Sequence, residues 1–246
     1  MDVEAPLPEC ANARMKIETH LDHQTILANH ARPVFFAVRI SADAFAQPRP
    51  RPAGAPNAAG PPPPPASLPR PHGNCYWLQP GRLLAGEYPG AKDAAEALAR
   101  LAAHLDCGVT CFIDLTEEGE LVPYESELRS LAAARGVVVE YRRFPVMDVS
   151  VPRSPRDMVA ILDAIDAALA AGRCVYLHCW GGVGRTGTVI GCHLVRHGLS
   201  GAEALQTLAA HWSGVEKASR KPRSPETDEQ CDYVRRWVEP GKGGRP

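Results

Sequence analysis

The chain has 246 residues, enough for one domain of ordinary size with sequence to spare. Its net charge of −1 gives no overall attraction to nucleic acid or to an anionic membrane, and no apolar run approaches the ~20 residues that span a bilayer. The acidic, proline-containing start lacks the basic and apolar regions of a secretory leader, and the eight cysteines form no tight disulfide framework, so a reducing cytoplasm is the expected setting.

Residues 1–47 read as a weakly structured or partner-dependent segment with a β-hairpin (15–21 against 34–40), to which no function is assigned; two strands alone are marginal. Residues 48–73 form a proline-rich linker that carries 11 of the 24 prolines, five of them consecutive at 61–65. Such a stretch is a stiff, extended spacer; a protein partner for the arm is the alternative reading. From 74 to 240 the pattern becomes that of a folded domain, with a flexible tail at 241–246. After an extended opening segment, helices are expected at 91–105, 123–135, 155–171, 185–197, 201–211 and 225–238. Strands are expected at 109–115, 137–141 and 174–178. This alternation predicts an α/β fold in which helices flank a mostly parallel central sheet.

The chemistry gathers after the last strand, in His178-Cys179-Trp180-Gly181-Gly182-Val183-Gly184-Arg185-Thr186-Gly187. A glycine-rich turn entering a helix points successive N–H groups inward at the positive end of the helix dipole, which makes a nest for an anion. Such a nest favours the thiolate form of Cys179, the form that acts as a nucleophile, and then receives phosphoryl oxygens. Gly181, Gly182 and Gly184 are expected to let the backbone approach the ligand and take positive φ. With Trp180 and Val183 they form the substrate-binding loop, Trp180 on its rim. Arg185 offers a planar fork for two phosphate oxygens. Thr186 is placed to donate to the sulfur, and His178 to order the loop through hydrogen bonds. The loop lacks the Gly-Lys-Ser/Thr of a nucleotide-binding loop, and Cys174, Cys179 and Cys192 lack zinc-ligand spacing, so no metal is expected.

The His-Cys-x-x-Gly-x-x-Arg-Thr-Gly pattern resembles the cysteine-dependent protein tyrosine phosphatase superfamily. Within it the chain is similar to the compact dual-specificity branch, including bacterial-type and kinase-associated-phosphatase-like members. The resemblance runs over about 74–239 and extends to an opening strand in Tyr76-Trp77-Leu78-Gln79-Pro80-Gly81-Arg82-Leu83-Leu84-Ala85-Gly86-Glu87-Tyr88-Pro89-Gly90. It also takes in Phe144-Pro145-Val146-Met147-Asp148 and the Ser224-Pro225-Glu226-Thr227-Asp228-Glu229-Gln230 approach to the last helix. It implies a protein phosphatase acting on phosphotyrosine and on phosphoserine and phosphothreonine through a cysteinyl-phosphate, without cofactor or metal. Cys179 would be the nucleophile, Arg185 the phosphate clamp, and Asp148 the acid that protonates the leaving oxygen and then the base for water. The expected partner is a phosphoprotein, not nucleic acid or membrane.

Other groups receive blander readings. Asp157 belongs to the Ser154 helix start, Asp114 to a structural hydrogen bond, and Glu117, Glu118 and Glu120 to solvent. His104, His193, His197 and His211 are read as surface or packing residues. Arg142, Arg143, Arg153, Lys217, Arg220, Lys221 and Arg223 are either a basic rim or solvated charge. A rim would favour the alternative of a phosphoinositide or small phosphomonoester phosphatase. An alternative of another class is a non-catalytic phosphate-binding module.

Overall fold

The computed structural model describes residues 68–241. The expected hairpin of the first segment, and most of the proline-rich linker, lie outside the described residues. Five strands form one sheet in the order β1-β2-β5-β3-β4 (β1 Cys75–Gln79, β2 Leu83–Gly86, β3 Cys111–Asp114, β4 Glu140–Arg143, β5 Val175–His178). β1 pairs antiparallel with β2, and every other pairing is parallel. Six α-helices surround it: α1 Ala94–Asp106, α2 Glu125–Ala134, α3 Pro155–Ala170, α4 Gly184–Arg196, α5 Gly201–Trp212 and α6 Asp228–Arg235.

The three central strands are buried on both faces and are therefore apolar almost throughout. Alternation then sends consecutive side chains into two different cores. Leu83, Ala85, Cys111, Ile113, Val175 and Leu177 face an aliphatic layer with α3, α4 and α5. Leu84, Phe112 and Tyr176 face a second layer with Leu101 and Leu105 of α1 and Leu128 and Ala132 of α2.

Several boundaries differ from the expected ones, and three of the differences have a plain local reason. The opening segment is a hairpin of two strands rather than one strand, because Pro80-Gly81 makes a turn, with Gly81 at φ +69° and Arg82 N–H donating to the Gln79 carbonyl at 2.9 Å. The strand expected at 137–141 forms at Glu140–Arg143. It is an edge strand, so it tolerates charge, while Val138 is left exposed in the preceding loop. The last helix begins at Asp228, not Pro225, because Thr227 and Gln230 form a reciprocal capping box. The Ser154 start of α3 is as expected, its side chain accepting from Asp157 N–H.

The chain just before β1 is bonded into the domain. Arg70 donates to the carbonyls of Cys75 and Gly214, and Trp77 Nε1 donates to Pro69. Among the described residues no helix is long and apolar enough to cross a membrane, and all seven described cysteines are free.

Candidate active site

β5 ends at His178 in the centre of the sheet, and α4 begins at Gly184. Residues 179–183 therefore turn at the carboxyl end of a parallel strand, where such sheets bind ligands. Gly182 makes the turn, with φ +72°, and a Cβ there would collide with the Gly86 and Glu87 backbone. It alone of the three loop glycines has positive φ. Gly184 is needed for space instead, since a Cβ would lie 2.8 Å from the Gln230 amide. Val183 precedes α4 with no side-chain cap, so the first amides of that helix are open to an anion. Cys179 is 3% exposed at the base of the loop.

The loop is held from three sides. His178 is fully buried; its Nδ1–H donates to the Cys179 carbonyl at 3.1 Å, and its Nε2 accepts from the Tyr124 hydroxyl at 2.6 Å. Burial lowers the imidazole pKa, against an opposing pull from Asp114, and keeps the ring neutral in that tautomer. Asp114 lies 3.9 Å from the ring and accepts from Thr116 N–H, Thr116 Oγ1 and Tyr141 Oη. Burial alone would raise its carboxyl, but the neighbouring His178 and these hydrogen bonds hold it below the usual carboxylate range. On the opposite side, Ser224 Oγ donates to the Val183 carbonyl at 2.7 Å, and Lys217 Nζ bridges the Gly181 carbonyl and Glu87. Lys217 belongs to a short 3-10 turn, Glu216–Ser219, that no periodicity announced.

Arg185 points back beneath the loop and is 1% exposed. Its Nη1 donates to Glu120 Oε2 at 2.8 Å and to the Val146 carbonyl at 3.0 Å, and its Nη2 donates to Glu120 Oε1 at 2.6 Å. Nη2 also lies 2.8 Å from Asp148 Oδ1. Burial works against the guanidinium charge, but Glu120, Cys179 and Asp148 outweigh it and raise the pKa above its ordinary value. Glu120 is correspondingly held below its usual range by Arg185, against its own partial burial. The solvated reading of Glu120 is thus corrected. Its partner is 65 positions away, and nothing in the local sequence separates Glu120 from Glu117 and Glu118.

Asp148 is half exposed, in the loop between β4 and α3. The next residue, Val149, has φ +58°, a conformation β-branched residues seldom take. Buried Gln230 ties this loop to α6: its Nε2 donates to the Ser150 carbonyl at 2.9 Å, and its Oε1 accepts from the N–H groups of Glu226 and Thr227. Thr186 Oγ1 is buried without a hydrogen-bond partner, so the donor contact to sulfur expected of it is not made in this arrangement.

Above the loop opens a cleft of about 640 Å³, lined by Trp180, Gly181 and Val183 below, Asp148 and Val149 at one side, and Tyr88 and charged side chains around the rest. Of the seven basic residues considered from sequence, only Lys217, Arg220 and Lys221 line it. Arg142, Arg143, Arg153 and Arg223 pair with Glu140, Asp114, Glu117 and Asp228.

Residues 72–234, about two thirds of the chain, match the family model for PTP-SAK, described as the Swiss Army Knife protein, DSP-PTPase phosphatase domain. A 90-residue stretch is 33% identical to "Putative tyrosine phosphatase 067L" of Invertebrate iridescent virus 3, covering 35% of this chain and 34% of that protein, so the chain spans about a third of that curated relative. Among solved structures, Tk-PTP in its active form is 24% identical, covering 67% of this chain and 98% of that one with a TM-score of 0.51. Kinase associated phosphatase (KAP), with its catalytic-site cysteine substituted by serine, is 21% identical over 62% of this chain and 83% of its own, with a TM-score of 0.49. The chain belongs to the PTP-SAK family and carries a phosphatase domain of the dual-specificity type.

Proposed function

We propose that this domain is a cysteine-dependent protein phosphatase that hydrolyses phosphotyrosine, phosphoserine and phosphothreonine. The observation that carries the reading is one constellation: a sulfur at the carboxyl end of β5, uncapped amides at the start of α4, and a buried guanidinium that grips the carboxylate of Asp148.

A phosphate dianion entering the loop takes the amides and the outer edge of Arg185, and so displaces Asp148 from Nη2. Glu120 and the Val146 carbonyl keep the other contacts and hold the fork in orientation. Asp148, released from its cation, carries the proton to the leaving oxygen. The sulfur of Cys179 attacks phosphorus in line, so an S–P bond forms as the P–O bond breaks. Water, deprotonated by Asp148, then attacks phosphorus and expels the thiolate. Positioned acids of this kind contribute ~10²–10⁴-fold.

The cleft favours a protein substrate over an inositol headgroup. Its lining sets Glu87, Asp148 and Glu226 against Arg100, Lys217, Arg220 and Lys221, and Lys217 and Lys221 already pair with Glu87 and Glu226. Only Arg220 lacks a carboxylate partner among the described residues, too little excess charge for a polyanionic ring.

The test combines kinetics with a substrate panel. Cys179→Ser is expected to abolish turnover of an aryl phosphate while still binding it; undiminished turnover would overturn the assignment. Asp148→Asn should lower kcat by ~10²-fold or more for alkyl leaving groups and far less for p-nitrophenolate. Equal losses would point to another acid. Faster phosphate release from phosphoinositide vesicles than from phosphopeptides would reverse the substrate order.

A further inference from the structure

Away from the phosphate loop, at the far end of α4, lies a cluster that the phosphatase chemistry does not use. His193 lies in the last turn of α4 and His197, four residues on, is the residue that caps its end; Asp166 faces them from α3. One ligand atom from each comes within 4.8 Å of the others. His197 Nε2 is 3.0 Å from Asp166 Oδ1, and His193 Nδ1 is 3.6 Å from the same oxygen. The two rings lie 4.4 Å apart between centroids.

Two observations separate this cluster from the surface or packing role read from the sequence. First, His193 is 1% exposed, yet neither of its ring nitrogens has a hydrogen-bond partner among the described residues. Buried polar atoms are nearly always satisfied, and a histidine with both nitrogens idle is a rare exception. Second, the carboxylate is already oriented: Arg196 pairs with Asp163, Asp166 and Glu239 at once. Arg196 takes the Oδ2 edge of Asp166 and leaves Oδ1 facing the histidines.

We propose that Asp166, His193 and His197 form a binding site for a late first-row divalent cation, Zn²⁺ foremost, that clamps α3 to α4. Two imidazole nitrogens and one carboxylate oxygen are a ligand set that Zn²⁺ takes readily, with water in the fourth position. Magnesium and calcium require a shell of oxygens, of which this cluster has too few. Ligands at ~2.0–2.1 Å from a tetrahedral ion stand roughly 3.3 Å from one another, and the two measured separations bracket that value. The last-turn and C-cap positions bring the two rings to the same side of the helix end, 4.4 Å apart. Arg196 then acts as the outer partner that orients the ligating carboxylate. Partial exposure of Asp166 and His197 provides the entry path and room for the water.

The experiment uses the full chain carrying Cys179→Ser, which removes the loop thiol as a competing zinc ligand, in a non-chelating reductant. Calorimetric titration with Zn²⁺ is expected to show one equivalent bound, and saturation to raise the melting temperature. Co²⁺ should give weak d–d bands without a thiolate charge-transfer band. His197→Ala, at a half-exposed position where truncation spares the fold, should weaken Zn²⁺ binding ~100-fold or more and erase the thermal shift. Asp166→Asn should do the same, while melting of the metal-free His197→Ala protein stays near that of its parent. No uptake at roughly tenfold molar excess, equal affinity in His197→Ala, or a sulfur-to-cobalt band would each overturn the proposal.

Discussion

The residue that organises the proposed phosphate site is Arg185, and its side chain is held by the Glu120 carboxylate. A buried guanidinium with one partner removed is costly, typically ~3–5 kcal/mol where nothing replaces the partner. Here Glu120 supplies two of the hydrogen bonds, and Val146 and Asp148 supply the rest. Glu120→Ala should therefore act twice. It should lower the melting temperature, because Asp148 and one carbonyl compensate only in part. It should also lower kcat/KM for an aryl phosphate by ~10-fold or more, about 1.4 kcal/mol, because the fork no longer presents a fixed edge to phosphate. Glu120→Gln keeps an acceptor oxygen and should fall between the two. Kinetics and melting curves on the three proteins check this; loss of stability with unchanged kcat/KM would confine Glu120 to the fold.

At the scale of elements, the loop between β4 and α3 that holds Asp148 carries a local conflict. Val149 holds φ +58° while 54% exposed, so it bears backbone strain of ~1–3 kcal/mol with little burial to offset it. Asparagine tolerates that region, so Val149→Asn should stabilise the domain by about 1 kcal/mol and raise Tm by ~2–4 °C. A fall in Tm by calorimetry would show that the valine contacts outweigh the strain. What the sequence disclosed about such elements depended on how local their causes are. β3 and β5 were legible as apolar runs because burial on both faces demands them, and the glycine loop was legible because the tight turn between β5 and α4 constrains consecutive residues. β4 was misplaced because an edge strand answers to one neighbour only, and its charges mimic a loop. The hairpin was announced by Pro80-Gly81 and still merged into one strand, although the turn signal was present. Glu120, Tyr124 and Ser224 could not be found, because each meets its partner through space at a separation no local pattern records. Gln230 had a signal in Thr227-x-x-Gln230, which marks a helix start but says nothing of the Ser150 carbonyl it also holds.

For the molecule as a whole, the two cores differ in kind, and this gives the domain an acid-sensitive face. The layer beneath α3 to α5 is mainly aliphatic, with Tyr76, Trp212 and Trp237 among its members. The layer beneath α1 and α2 is aromatic and imidazole-rich: His104 packs on Tyr176 at 4.3 Å and near Phe112 and His72, and Tyr124 continues the stack to His178 below the loop. His104 is fully buried, its Nδ1–H donating to the Arg100 carbonyl at 2.8 Å, while Nε2 has no partner. Burial pushes the ring down to about 3, far from the ordinary 6.5, so the folded state holds it neutral. His178 is shifted in the same direction for the same reason. Below pH 6.5 the unfolded chain therefore binds protons that the folded chain refuses. The stability present above that pH is lost as pH falls toward the folded value. Between pH 7 and pH 5 the His104 share of that loss is about 2 kcal/mol, a drop in Tm of roughly 4–8 °C for a domain of this size. His104→Leu keeps the volume and the helix carbonyl's own backbone partner but has nothing to protonate. It should cost little at pH 7 and should flatten the decline in Tm between pH 7 and pH 5, leaving the parts due to His178 and to His193, whose pKa burial also lowers. Parallel Tm–pH slopes for the two proteins would mean that the acid sensitivity originates elsewhere than in the layer under α1.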